Sequence, residues 1–339
     1  MKRALFWFGP MLSVLILVAM PITAPLADNH QEGATITPTP DPVFTDIAGS
    51  YPRVDGSTSA HPLQMQIACA IFGVPCEVQW SYFEATPTIM PAPKSSPLPV
   101  IQHTGTHNAY VNLIEGAADL ILVARAPSND EREAAKARNV VLDSRPVALD
   151  AFVFVLHASN PVRNLTIEQI RGIYTGGITN WKALGVEAAG EDTMIRAYQR
   201  EPNSGSRELM DSLVMKGEPM IEGPDLLVLT MSGLIEAVVH DRWGIGYTVY
   251  YYATYMTPRA AWEVLSLPSV EGVAPRPDTF RDHTYPFTTE VYVVTRADMP
   301  ANSTAILLRD WLLTPGGQAV IEHSGYVALA ASEDASKGD

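Results

Sequence analysis

Three short stretches gather hydroxyls just where a helix is about to begin. In "DGSTSAHPL", Ser57, Thr58 and Ser59 precede Pro62, a residue suited to a first helical turn. In "HTGTHNAYVNLIEG", Thr104, Gly105 and Thr106 lead an apolar-spaced segment that closes at Gly116. In "YQREPNSGSREL", Ser204, Gly205 and Ser206 follow Arg200 by four residues or more. A helix start leaves several N–H groups without partners and carries the positive end of the dipole. Glycine lets a ligand approach the backbone closely. Any one such stretch reads as an ordinary N-cap. Three of them, with one arginine able to offer a bidentate, permanently charged fork, point to a shared anion. A tetrahedral oxyanion has acceptors enough to use donors from three directions.

The elements that must position these turns are legible as alternating patterns. "ADLILVA", "DAFVFVLHA" and "TEVYVVT" read as buried strands, and "GIGYTVYYYA" as a strand through its three tyrosines. "TIEQIRGIYTG" reads as a helix capped by Thr166, "GLIEAVVHDRW" as another, and "STAILLRDWLLTPGGQAVIEHSG" as a helical pair. Alternating β and α elements predict an α/β fold with mostly parallel sheets. At 339 residues, two lobes with a cleft between them are expected. The strands place the crossings near Leu149–Phe152 and Tyr285–Thr289. Lobe I is then residues 50–149 plus 287–332, lobe II is 150–286, and 333–339 is a tail. Trp181, Trp243, Tyr247 and Trp311 fall in apolar-spaced segments and read as core or hinge packing.

Several motifs together carry a family resemblance: "YPRVDGSTSAHPL", "THNAYVNLIEGAADLILVA", "GIYTGGITNWKALGV", "YQREPNSGSREL" and "LRDWLLTPGGQAVIEHSGYVAL". From about Tyr51 to Leu329 the chain resembles the phosphate-binding branch of the ABC-transporter substrate-binding proteins. The resemblance implies a two-lobe type II periplasmic-binding fold with the ligand cleft at the hinge. It implies a first phosphate loop at Ser57, Thr58 and Ser59, a second hydroxyl at Thr106, and a third loop of Arg200, Ser204, Gly205 and Ser206. Two departures bear on the ligand. The family's third motif is similar to Arg-x-Asp-Gly-Ser-Gly-Thr, and Pro202 stands here where the acid would pair with the arginine. After the second strand the family often carries an acid that rejects fully ionised anions, whereas Arg125 stands here in "LVARAPSNDE". Arg125 could face the ligand and attract any dianion, or be a solvated loop charge. The loop could be displaced by one residue, Asp55 could take the acceptor role, or the ligand could differ from ordinary phosphate.

The bulk numbers narrow the function. With 47% hydrophobic and 18% charged residues the chain reads as globular, and a net charge of −14 excludes nucleic acid as a partner. Lys2 and Arg3 before the apolar run "ALFWFGPMLSVLILVAM" read as an export signal, residues 1–27, cut near Ala27 or retained as an anchor. Residues 28–49 read as a flexible leader and "ATPTIMPAPKSSPLPV" as a mobile surface loop. In a periplasmic or extracellular setting Cys69 and Cys76 read as a disulfide. His103 and His107 share an H-x-x-x-H spacing, but no third ligand stands out, so no metal or cofactor is expected. "NSGSR" is not a Gly-x-Ser-x-Gly elbow, which sets a secreted hydrolase below a binding protein. The expectation is therefore a monomeric, exported, non-enzymatic protein. It would capture phosphate or a similar oxyanion for an ABC permease, or alternatively serve an oxyanion sensor.

Overall fold

The run "DAFVFVLHA" is the second half of a 16-residue strand, Leu142–His157, on which the whole sheet is organised. Residues 147–156 of this strand are buried without interruption. Both faces are covered, so the sequence shows a continuous apolar run rather than an alternation. A computed structural model describes residues 42–80, 87–91 and 98–329. The export segment, the leader up to residue 41 and the tail lie outside the described residues. Among the described residues no helix is long and apolar enough to cross a membrane.

The long strand changes partners midway. Its first part, through Ala151, pairs antiparallel with Thr288–Arg296, which in turn pairs antiparallel with Leu120–Val123. Leu120–Val123 lies parallel to Val54–Gly56. From Phe152 onward the long strand pairs antiparallel with Gly244–Val249, which lies parallel to Arg196–Ala197. The fold is α/β as expected, but the sheet is mixed rather than mostly parallel. The sequence pattern reports burial, which is the same for both pairing directions, so it does not report direction. Where the partners change, Phe152, Phe154, Phe287, Tyr174 and Tyr247 interlock with ring centroids 5.4–6.4 Å apart. Such tilted and edge-on pairs add to the stabilisation that their buried area supplies.

Three local expectations are corrected. The leader contains a helix, Pro42–Gly49, whose Phe44 packs edge-on against Trp311 at 5.2 Å. The Pro-rich stretch contributes a strand, Pro87–Pro91, paired antiparallel with Cys76–Trp80. Prolines are tolerated in such a two-stranded ribbon because its outer edge asks for no ladder donor. The strand at Gly244 stops at Val249, and helical turns through Met256 carry the tyrosines. Trp181, Trp243, Tyr247 and Trp311 are all core residues, and the Trp181 indole donates to the Trp243 carbonyl at 2.9 Å. Cys69, near the end of the His61–Phe72 helix, is disulfide-bonded to Cys76.

Candidate functional site

The first hydroxyl turn grows out of a strand end. Gly56 has no space for a side chain, since a Cβ there would lie 2.1 Å from the Leu122 carbonyl oxygen. The Ser57 N–H donates to that same oxygen at 3.0 Å. One 3-10 turn, Thr58–Ala60, leads into the His61–Phe72 helix with Pro62 in its first turn. The Tyr326 hydroxyl holds the turn from behind, donating to the Ser59 carbonyl at 2.8 Å.

The second turn is tied to the first through Asp55. Its Oδ1 accepts from the Gly56 N–H at 2.7 Å and the Thr104 N–H at 2.9 Å. Its Oδ2 accepts from the Thr104 hydroxyl and the Asn112 amide, both at 2.7 Å. A buried carboxylate with four donors is fully used. Asp55 therefore fixes the loops and does not line the cavity they surround. Gly105, at φ 96°, then lets Thr106 open the Thr106–Glu115 helix, which closes on the left-handed Gly116.

The third turn is a Pro202-Asn203 turn, with Asn203 left-handed at φ 72°. Ser204 caps the Gly205–Leu209 helix by accepting from the Arg207 N–H at 3.2 Å, and the helix widens into π turns over Met210–Met215. This turn meets the second: a Cβ on Gly205 would stand 2.4 Å from the Thr106 hydroxyl oxygen. Gly205→Ala must push Thr106 aside. It is expected to weaken anion binding by about 1–3 kcal/mol through overpacking, measured by calorimetry against the unaltered chain. Equal affinities would show that the contact of the two turns is not part of the site.

All three turns border one cavity of about 700 Å³. Ser57, Thr58, Ser59, Thr106, Arg200, Ser204, Gly205 and Ser206 line it, as do His61 and Thr104. Among the described lining residues Arg200 is the sole lysine or arginine and Glu201 the sole acid. Arg200 is 6% exposed. Its backbone N–H donates to the Tyr247 hydroxyl at 3.0 Å, while Nε and Nη2 donate to the carbonyls of Val228 and Leu229 at 3.1 and 2.9 Å. The nearest carboxylate, that of the 45%-exposed Glu201, is 3.9 Å away. Burial pulls the Arg200 guanidinium below its ordinary value, with Glu201 and tyrosines Tyr247 and Tyr252 acting against the shift. A buried cation held by carbonyls keeps most of its charge available to a ligand.

Arg125 is neither a cavity residue nor a solvated loop charge. It is buried, bonded bidentately to Glu131 at 2.7 and 2.8 Å, with its guanidinium 5.6 Å from the Tyr110 ring centre. Burial alone would lower its pKa, but the Glu131 hydrogen bonds and charge raise it overall. Glu131 is also the N3 acid of a capping box with Ser128, which is why it sits within reach. His103 and His107 take different partners. His103 packs against His61 with ring centres 4.2 Å apart and planes tilted by 45°, and the His107 Nδ1 lies 3.2 Å from Glu131. Among the described residues no group of three or more His, Cys, Asp or Glu could hold a metal.

A fourth hydroxyl-bearing helix start escaped the sequence analysis. Thr230 caps the Met231–Val239 helix, accepting from the Gly233 N–H at 2.9 Å, and Thr230, Ser232 and Tyr252 all line the cavity. The signal was present in "LTMSGL", where Thr230 stands three residues ahead of the Gly233 taken as the helix start.

The family model described as a PBP superfamily domain matches residues 83–321. The chain is similar to the phosphate-binding protein PstS of Pseudomonas aeruginosa, at 26% identity over 249 residues, covering 68% of this chain and 74% of that one. In fold it is similar to a putative phosphate ABC transporter substrate-binding protein with bound phosphate from Clostridium perfringens. That likeness has a TM-score of 0.61 at 22% identity and covers 82% of this chain and 99% of the other. An ABC-type phosphate transport receptor from Vibrio cholerae gives a TM-score of 0.58 at 23% identity, covering 81% and 98%. These neighbours share the two-lobe α/β binding fold that the sequence implied. With the family model spanning well over half of its length, the chain belongs to the PBP superfamily.

Proposed function

We propose that the chain is an exported binding protein that captures inorganic phosphate, or a similar tetrahedral oxyanion, and delivers it to an ABC permease. The observation that carries this is Arg200: a buried guanidinium without a buried counter-acid, on the wall of a cavity bordered by three hydroxyl-bearing helix starts. Ser57, Thr58 and Ser59 grip the anion from one side, Thr106 from a second, and Arg200 with Ser204, Gly205 and Ser206 from a third. The site works locally, because the net charge of −14 opposes an incoming anion at long range. Lobe I, residues 50–149 with 287–332, and lobe II, residues 150–286, close on the ligand where the long strand changes partners. The named relatives, all phosphate-binding or phosphate-transport proteins, support the ligand and the transport setting. The basic start Lys2–Arg3 and the apolar run behind it favour export to the periplasm or cell exterior, with residues 1–27 as the signal.

The hydroxyls act as donors rather than nucleophiles. Among the described residues no serine of the cavity is hydrogen-bonded to an imidazole, the arrangement that nucleophilic activation requires. A thermal-shift screen against phosphate, arsenate, sulfate and molybdate tests the proposal. A ligand that binds only the folded chain raises its melting temperature with concentration. Phosphate is expected to do so; stabilisation by none of the four anions would refute an oxyanion-binding role.

A further inference from the structure

His107 follows Thr106 in the Thr106–Glu115 helix, and both line the anion cavity. Because the two are consecutive in one helix, their relation to each other does not depend on how far the cleft is open. The imidazole is held from behind. Its Nδ1 lies 3.2 Å from the Glu131 Oε1, and a carboxylate only accepts, so Nδ1 is the donor. Nε2 is then the free polar position of the ring, and among the described residues it has no partner. Glu131 is 1% exposed and fully used, because its oxygens also accept two bonds from Arg125 and one from the Ser128 N–H. Arg125 thereby cancels the Glu131 charge. A proton on His107 leaves this cluster with one net positive charge. The other groups nearby do little to balance it. Glu208 acts on Arg125 through space and is the weakest of its influences. Tyr110, one turn along the helix, is kept neutral by burial and donates its hydroxyl proton to the Arg125 carbonyl at 3.0 Å. Across the cavity the charged groups are Arg200 and the half-exposed Glu201. His61 and His103 also line the cavity. Burial, with His103 beside it, holds the His61 pKa down at about 4, so His61 carries no charge near neutrality.

Resting on the oxyanion reading, we infer that His107 is a further ligand of the anion: in its protonated form it donates Nε2–H to an oxyanion held at the Thr106 turn, so that proton and anion favour each other's binding. The anion supplies the counter-charge that Glu131, already neutralised by Arg125, does not. The coupling is reciprocal. Acid strengthens the grip, and the bound anion draws a proton onto the ring. Histidine is the side chain whose charge ordinarily changes between about pH 5 and pH 8. The grip therefore depends on pH in a range where the arginine of the site keeps its charge throughout.

The test is calorimetry with inorganic phosphate on the full chain and on His107→Asn, at about pH 5.5 and about pH 8. Asparagine can keep a donor to Glu131 at the place of Nδ1 and puts nothing at the place of Nε2. Phosphate changes its own ionisation between these two conditions, but that change is common to both chains and cancels in the ratio of their affinities. At the lower pH the unaltered chain is expected to bind about tenfold tighter than the variant or better, and at the higher pH within about threefold of it, a usual size for coupling between two bound species. Unfolding curves recorded without ligand confirm that the variant is folded at both pH values. A ratio that is the same at both, whether the variant binds equally well or equally worse, overturns the assignment of His107 and leaves phosphate capture intact. A ratio that grows as pH rises does the same. Failure of the unaltered chain to bind phosphate at either pH removes the oxyanion reading itself, and this inference with it.

Discussion

Arg200→Ala is expected to weaken phosphate binding by about 2–5 kcal/mol, the usual loss when one partner of a desolvated charge pair is removed. The size follows from the surroundings of the guanidinium. It is buried, its closest acid is 3.9 Å away and half exposed, and two of its nitrogens are fixed by carbonyls. The fork is thus preorganised, and little conformational entropy remains to be lost when an anion arrives. Arg200→Lys keeps the charge but loses the planar fork and the carbonyl grip, so its affinity should fall between wild type and alanine. Calorimetry on all three chains, with unfolding curves recorded without ligand, separates binding from stability. Unchanged affinity in Arg200→Ala would place the arginine outside the site.

Asp150→Asn is expected to make the protein more stable at pH 8 and to flatten its stability between about pH 4 and pH 7. Asp150 lies where the long strand changes partners. Its Oδ1 accepts from the Ala151 and Tyr251 N–H groups at 2.8 and 3.0 Å, while the buried Oδ2 has no partner among the described residues. Thr289, directly opposite in register, also has a buried, unpartnered hydroxyl. Desolvation pushes the carboxyl up to about 7, and the two backbone donors only partly oppose it. The groups facing Asp150 are the tyrosines Tyr250, Tyr251, Tyr255 and Tyr326, all of whose pKa values burial raises, so none supplies a counter-charge. For an acid whose folded pKa lies above its unfolded one, the folded state holds more protons between the two values. Stability therefore falls as pH rises through that window, and the full cost, about 4 kcal/mol as an upper figure, is present above pH 7. Asparagine keeps the accepting oxygen and carries no charge to desolvate. Denaturant unfolding at pH 5 and pH 8 checks this. A wild-type chain that gains stability from pH 5 to pH 8 through this residue, or a variant with the same slope as wild type, would contradict it.

What the sequence revealed and what it hid divide by range. The three hydroxyl turns were legible because helix starts are local: Pro62 in a first turn, Gly105 just before Thr106 and Ser204 capping Arg207 act within a few residues, although only Ser204 caps its helix through its hydroxyl. The α/β class was legible because buried runs such as Phe152–Leu156 announce themselves by composition. Strand direction was not, because it is set by partners far off in the sequence, such as Thr288 for Ala151 and Val249 for Phe152. The Pro42–Gly49 helix was hidden because packing on Trp311, not helix propensity, holds it. Arg125 was misplaced for a related reason. Only the fold brings Glu131, Tyr110 and Arg125 into one buried cluster, and a local pattern cannot tell that pairing from a cavity-facing charge. Asp55 likewise looks like a ligand residue by position, yet Thr104 and Asn112 use up its oxygens.

The most direct measurement is a crystal structure of the chain grown with phosphate. One phosphate is expected in the cavity, with the Arg200 guanidinium and at least one hydroxyl or N–H from each of the turns at Ser57–Ser59, Thr106 and Ser204–Ser206 within about 3 Å of its oxygens. An anion bound elsewhere, or held by a single turn with the other two pointing away, would contradict the account.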